Sequence, residues 1–159
     1  MSVFICYRHT ERLYAFILNE RLKLEGIDTC LEMFDAESHQ TTDDVCGIFQ
    51  RNIVDCTHLV MVLGSHVPDA WWLPFGLGAA TLLNRRVTLY QGGDLPADYL
   101  QRWPTLSNRE HIDLFVRAYH DEQTFCRAIV ADEQDGRQNN RANAEFFHID
   151  LKAKIRRGF

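Results

Sequence analysis

Short, nearly continuous apolar runs recur along this chain, with room for one helix between each pair. Val3-Phe4-Ile5-Cys6, Leu59-Val60-Met61-Val62-Leu63 and Val87-Thr88-Leu89-Tyr90 are the clearest. A strand buried on both faces reads as a continuous run rather than an alternating one, and such strands belong to parallel sheets. Parallel neighbours require long crossovers, ordinarily helices. The segments between the runs carry a helical period. In the first, Thr10 is placed to cap a helix beginning at Glu11, and Leu13, Phe16, Ile17 and Leu24 form its stripe, widened by Leu18 and Leu22. Gly26 is a natural C-terminal stop. A second strand is predicted over 27–34, followed by a polar, aperiodic loop at 35–42.

A second helix, capped by Thr42 or Asp43, follows with Val45, Ile48, Phe49 and Ile53 on one face. A third is expected from about 70 to 84, with Pro74 tolerated only in its first turn. Residues 94–109 read as irregular, 112–116 as a short fifth strand, and about 121–131 as a helix. After a polar break at 134–140, Phe146, Phe147, Leu151 and Ile155 mark a terminal amphipathic helix. This order predicts a flavodoxin-like three-layer α/β/α fold with a central parallel sheet of four to five strands. Residues 1–134 form the domain, and 135–159 form a helical extension packed on it. A chain of 159 residues is one domain in size.

Composition narrows the function. The net charge of −5 gives no overall footprint for nucleic acid. No apolar run approaches the ~20 residues of a membrane span. The longest stretch, 67–83, is broken by Pro68, Asp69 and Pro74. The five cysteines are odd in number, widely spaced and without a C-x-x-C pair, which argues against a disulfide framework or a zinc site. No basic segment precedes a long apolar one at the N-terminus, so a reducing, cytoplasmic setting is expected. The basic residues Lys152, Lys154, Arg156 and Arg157 suit a helix C-terminus. No metal and no bound cofactor are expected.

In a doubly wound sheet, ligands bind outside the carboxyl ends of the strands. That edge receives residues 7–10, 35–42, 64–72 and 91–95. The first strand is not followed by a glycine-rich phosphate loop, and no G-x-S-x-G elbow occurs. Receiver-type acidic residues are missing from the ends of the first and third strands. Tyr7 and Arg8 sit where a ribose or phosphate could lie, Arg8 as a donor fork. Trp72 either stacks on a ligand ring or packs on the sheet. Trp71 is expected in the core or an interface, Trp103 as a packing anchor, and His9, His39 and His66 as solvated loop residues.

Several segments, in order, resemble one family, the Toll/interleukin-1 receptor (TIR) domain. Val3-Phe4-Ile5-Cys6-Tyr7-Arg8-His9 resembles its opening strand, V-F-I-S-Y-S/R-H. The 35–44 loop falls where the family has its BB loop. Trp72-Leu73-Pro74-Phe75-Gly76-Leu77-Gly78-Ala79-Ala80 resembles the bacterial form W-V-P-F-E-I-G-x-A. Leu95-Pro96-Ala97-Asp98-Tyr99-Leu100 is similar as well, and the likeness spans 3–131. The chain looks like the TIR signal-producing proteins of Thoeris antiphage defence. The resemblance implies NAD⁺ as substrate and cleavage of its nicotinamide–ribose bond by a glycohydrolase, cyclase or transferase, giving an ADP-ribose-derived signal. It also implies self-association or a TIR or effector partner through the loop 35–42. Tyr7, Arg8, Asp35 and Trp72 are the expected NAD⁺ contacts.

The chemistry passes through an oxocarbenium-like ribosyl state that a carboxylate stabilises. The family pattern W-x-x-x-E supplies that carboxylate one helical turn after the tryptophan, on the same face. Four residues after Trp72 stands Gly76. Gly76 therefore marks the catalytic position without its acid, and turnover is expected to be lost or impaired. A degenerate domain, a disabling substitution, or a substitute acid among Asp35, Glu37, Asp69 and Asp94 would each account for this. A non-enzymatic TIR adaptor or assembly module is the alternative.

Overall fold

A computed structural model describes residues 1–34, 41–64, 70–91, 98–130 and 141–159, with side chains of 127–130 excepted. Strands β1 (Ser2–Tyr7), β2 (Asp28–Met33), β3 (His58–Leu63), β4 (Arg86–Gln91) and β5 (Thr105–Leu106) form one sheet. Its order is β2-β1-β3-β4-β5 and every pairing is parallel. Helices α1 (Arg12–Leu24), α2 (Thr42–Asp55), α3 (Trp72–Leu82), α4 (Arg109–Val130) and α5 (Arg141–Arg157) cover it. This is the flavodoxin-like three-layer arrangement, and the winding reverses between β1 and β3.

Alternation along β1 sorts the core. Phe4 and Cys6 pack with α2 and α3, among Phe49, Met61, Trp72 and Leu77. Val3, Ile5 and Tyr7 pack on the opposite face with Leu18 and Leu22 of α1, Phe115 and Tyr119 of α4, and Phe147 and Leu151 of α5. Gly26, at φ +72°, closes α1: its N–H reaches Lys23 O and the Ile27 N–H reaches Leu22 O. That pair of bonds is a Schellman motif, and glycine adopts its left-handed residue without steric cost.

The structure corrects several expectations. Thr10 lies inside a 3-10 turn (His9–Glu11) that precedes α1, and no side chain caps that helix. The face of α1 turned to the sheet is Ala15, Leu18, Asn19 and Leu22, while Leu13, Phe16 and Leu24 are exposed. The cap of α2 is Thr41 rather than Thr42 or Asp43. Its hydroxyl accepts the Asp44 N–H, and the Asp44 carboxylate accepts the Thr41 N–H, a complete capping box. The fifth strand is Thr105–Leu106, and 112–116 belongs to α4. Asn108 starts α4 by accepting the His111 N–H through its side chain at 2.9 Å. Pro74 does fall in the first turn of α3.

The basic C-terminal residues are partly committed. Lys152 donates to the carbonyls of Gln101 and Arg102, and Lys154 pairs with Asp121 and Asp150. All five cysteines are free thiols. Among the described residues, no helix is long and apolar enough to cross a membrane.

Candidate functional site

The crevice where the winding reverses is bounded by the ends of β1 and β3 and by the start of α3. Tyr7 closes β1. Its ring turns to the α1 side, 6.3 Å from that of Phe16, and burial followed by the nearby Glu32 raises its phenol pKa against the opposing pull of Arg12. Arg8 follows, half-buried, and its carbonyl accepts the Glu11 N–H at 2.8 Å.

Trp72 and Gly76 lie on the other face of the sheet. Trp72 is buried, and its ring stacks on Phe34 at 4.9 Å, just beyond the end of β2. Phe34 in turn stacks on Phe49 of α2 at 4.7 Å. The three rings form one continuous column. Gly76, one turn along α3 from Trp72, meets the end of this column. A Cβ there would stand 2.5 Å from Phe49 Cε1 and 2.7 Å from Met61 Cε. The predicted sharing of one helix face by Trp72 and Gly76 therefore holds, and that face is packed with rings and a thioether. Tyr7, on the opposite side of the sheet, does not join them. Asp35, Glu37, Asp69, Asp94, His39 and His66 lie outside the described residues, as do residues 35–40 of the loop.

Two acids near the site had no role in the sequence reading. Glu11 sits in the 3-10 turn after β1, and its carboxylate lies against the backbone at the end of β3. A Cβ on Gly64 would overlap Glu11 Oε1 at 1.8 Å, so the carboxylate occupies the space that a side chain at 64 would take. The signal was available, since Glu11 stands four residues after the end of the same strand as Tyr7. Glu32, on β2 opposite Cys6, accepts from Asn52 Nδ2 at 3.4 Å, and Asn52 Oδ1 accepts from the Cys30 thiol at 3.0 Å. A strand position gives no hint of such a network. Burial comes first among the causes that raise the thiols of Cys6 and Cys30, and Glu32 adds to both.

Chemically, the described part of this edge offers the Glu11 carboxylate beside the end of β3, and the ring column of Trp72, Phe34 and Phe49 is packed into the core. No acid is mounted on α3 itself. Trp71 is half-exposed, with its ring 6.1 Å from that of Phe75, while Trp103 is buried as an anchor. Among the described residues no group of His, Cys, Asp and Glu is arranged to hold a metal ion. No protein-family model, curated protein or solved structure matches this chain.

Proposed function

We propose that this chain is a TIR-like immune signalling protein of the antiphage, NAD⁺-cleaving kind in which turnover has been lost. The observation that carries the reading is the packing at Gly76. The segment Trp72-Leu73-Pro74-Phe75-Gly76 opens a helix at the ligand edge of a parallel sheet, where the family pattern puts its tryptophan and glutamate. The acid is replaced by a glycine whose missing side chain leaves space that Phe49 and Met61 fill. An oxocarbenium-like ribosyl state formed there would find ring edges in place of a negative charge. NAD⁺ recognition, through Arg8, Glu11 and the rim of the crevice, does not depend on that carboxylate.

The test is nicotinamide release from NAD⁺, followed by mass spectrometry. The natural chain is compared with Gly76→Glu and with Gly76→Glu combined with Phe49→Ala, which opens room for the new side chain. The natural chain and the single variant are expected to be silent, and the double variant to release nicotinamide. Brisk turnover by the natural chain would overturn the loss of activity. Silence of all three, together with no NAD⁺ binding, would overturn the NAD⁺ reading.

A second reading, a non-enzymatic assembly module, is favoured by apolar side chains left in solvent on α1 and α5. Leu13, Phe16 and Leu24 are exposed on the first, and Phe146 and Ile149 on the second. Concentration-dependent oligomers that Phe146→Asp abolishes, with no response to NAD⁺, would select it.

A further inference from the structure

α5 turns Ala144, Phe147 and Leu151 to the core. On the opposite side Ala142, Phe146, Ile149 and Ala153 recur at helical spacing. Phe146 is 66 % exposed and Ile149 69 % exposed, where a surface helix ordinarily presents polar groups to water. Arg156 and Arg157, both exposed, continue the same face through the last turn.

The helix is also charged against the sign of the chain. It carries five cations, Arg141, Lys152, Lys154, Arg156 and Arg157, and two acids, Glu145 and Asp150, which leaves it three charges positive in a chain of net charge −5. His148 adds no charge near neutral pH, because burial, ahead of the cations around it, pushes its pKa down to about 4. Glu145 is taken up by Arg141 and Asp150 by Lys154. Among the described residues no carboxylate pairs with Arg156 or Arg157. A ridge of bulky apolar side chains that ends in uncompensated arginines fits a partner that is apolar and anionic at once.

Three partners would meet this ridge differently. A second copy packed on it would set one positive helix against another. An acidic peptide in the apolar groove between α4 and α5 would meet Asp121 and Asp150, which share the single cation Lys154. A flat anionic surface touches the ridge itself and avoids both penalties.

We propose that the outward face of α5 docks the protein on an anionic phospholipid bilayer. The helix lies along the surface, Phe146 and Ile149 enter the boundary between headgroups and acyl chains, and Arg156 and Arg157 meet the phosphates. From Ala142 to Arg157 the ridge is roughly 22 Å long. Adsorption of this kind needs no membrane-spanning helix. α5 packs on the opposite face of the sheet from Trp72, so the docking does not depend on the NAD⁺ reading. It competes with the assembly reading for Phe146 and Ile149.

The probe is a vesicle of phosphatidylcholine and phosphatidylglycerol, compared with phosphatidylcholine alone, with the full chain followed by cosedimentation. Binding should require the anionic lipid and weaken as salt is raised. Arg156→Glu with Arg157→Glu should weaken it by about 25-fold or more, at about fivefold for each arginine lost. Lys23→Glu with Arg51→Glu, the same change of net charge made on α1 and α2, should leave it nearly unchanged. Ile149→Ser should weaken it as well, and Phe146→Trp should give blue-shifted emission on anionic vesicles alone. Unchanged thermal unfolding of these surface variants separates lost binding from lost fold. Absence of binding to anionic vesicles, equal binding to phosphatidylcholine, or binding that the Arg156 and Arg157 pair or Ile149→Ser leaves intact would each overturn the proposal. An equal loss in both charge-reversed pairs would trace binding to net charge and overturn it too. A dimer that Ile149→Ser disperses, in a chain that ignores vesicles, would overturn it and return these side chains to the assembly reading.

Discussion

The ring of Phe49 fills the space that a side chain at Gly76 would need, with Cε1 only 2.5 Å from the position of a Cβ. In an exposed helix interior, glycine to alanine gains about 1 kcal/mol. Here the sign reverses, because the neighbour is a rigid ring stacked on Phe34. Gly76→Ala is expected to destabilise the protein by about 1–3 kcal/mol, the range for overpacking a filled core. Urea unfolding measures it, and Phe49→Leu in the same chain should recover part of the loss.

Phe34 is the middle of the ring column, between Trp72 and Phe49. Phe34→Ala removes both stacking contacts and leaves a cavity. A loss of about 3–5 kcal/mol is expected, with blue-shifted Trp72 emission turning red as water enters. A midpoint shift of a few tenths of a kcal/mol would show that the column carries no weight.

The buried carboxylate of Glu122 on α4 holds Arg86 of β4, whose Nε donates to it at 2.6 Å, and faces His58 Nε2 at 3.2 Å. Burial would raise the Glu122 pKa, but His58 and Arg86 outweigh it and hold the carboxyl low. Glu122→Ala strands the guanidinium and should cost about 3–5 kcal/mol in chemical denaturation. Replacing Arg86 and Glu122 together by Met and Leu should cost much less, since no charge is then left unpaired.

His148 joins α5 to the start of β4 by accepting the Val87 N–H on Nε2 at 2.8 Å, which requires that nitrogen to be unprotonated. Its pKa is pushed from 6.5 to about 4, chiefly by burial. The unfolded chain therefore takes up the proton first as pH falls. The stabilisation is complete above pH 6.5 and declines toward about 4, at roughly 1.4 kcal/mol per pH unit. Thermal melts across that window should show a shallower slope in His148→Gln.

Thiol reactivity should divide by depth. Burial leads the causes that push the Cys56 thiol up to about 12, and Cys6 and Cys126 are buried with it, whereas Cys30 and Cys46 are half-exposed. In the folded protein a thiol reagent should titrate Cys46 and Cys30 first. Cys6, Cys56 and Cys126 should react only at the rate of unfolding.

What could be read from the sequence was whatever one local pattern decides. The apolar run of β3 and the Val45–Phe49–Ile53 stripe of α2 admit one reading each. Segment 10–24 carries more apolar residues than one face can bury, and a helical period cannot say which of two overlapping stripes meets the sheet. Ile112-Asp113-Leu114-Phe115-Val116 is short and apolar, and periodicity alone does not separate such a run from a strand. Asn108 was the missing start signal. At the crevice, Trp72 and Gly76 were legible as a pair. Their packing was not, because Phe34, Phe49 and Met61 reach them from three other elements. Arg86, Glu122 and His58 meet only through the fold.

The sheet also partitions the interior. Phe4 and Cys6 belong to one compartment, Val3 and Ile5 to the other, and the two share a backbone more than they share side chains. Losses made one on each side should therefore add, to within about 0.5 kcal/mol for sites well apart. One compartment can then be repacked while the other, with its buried arginine and glutamate, goes on holding the chain folded.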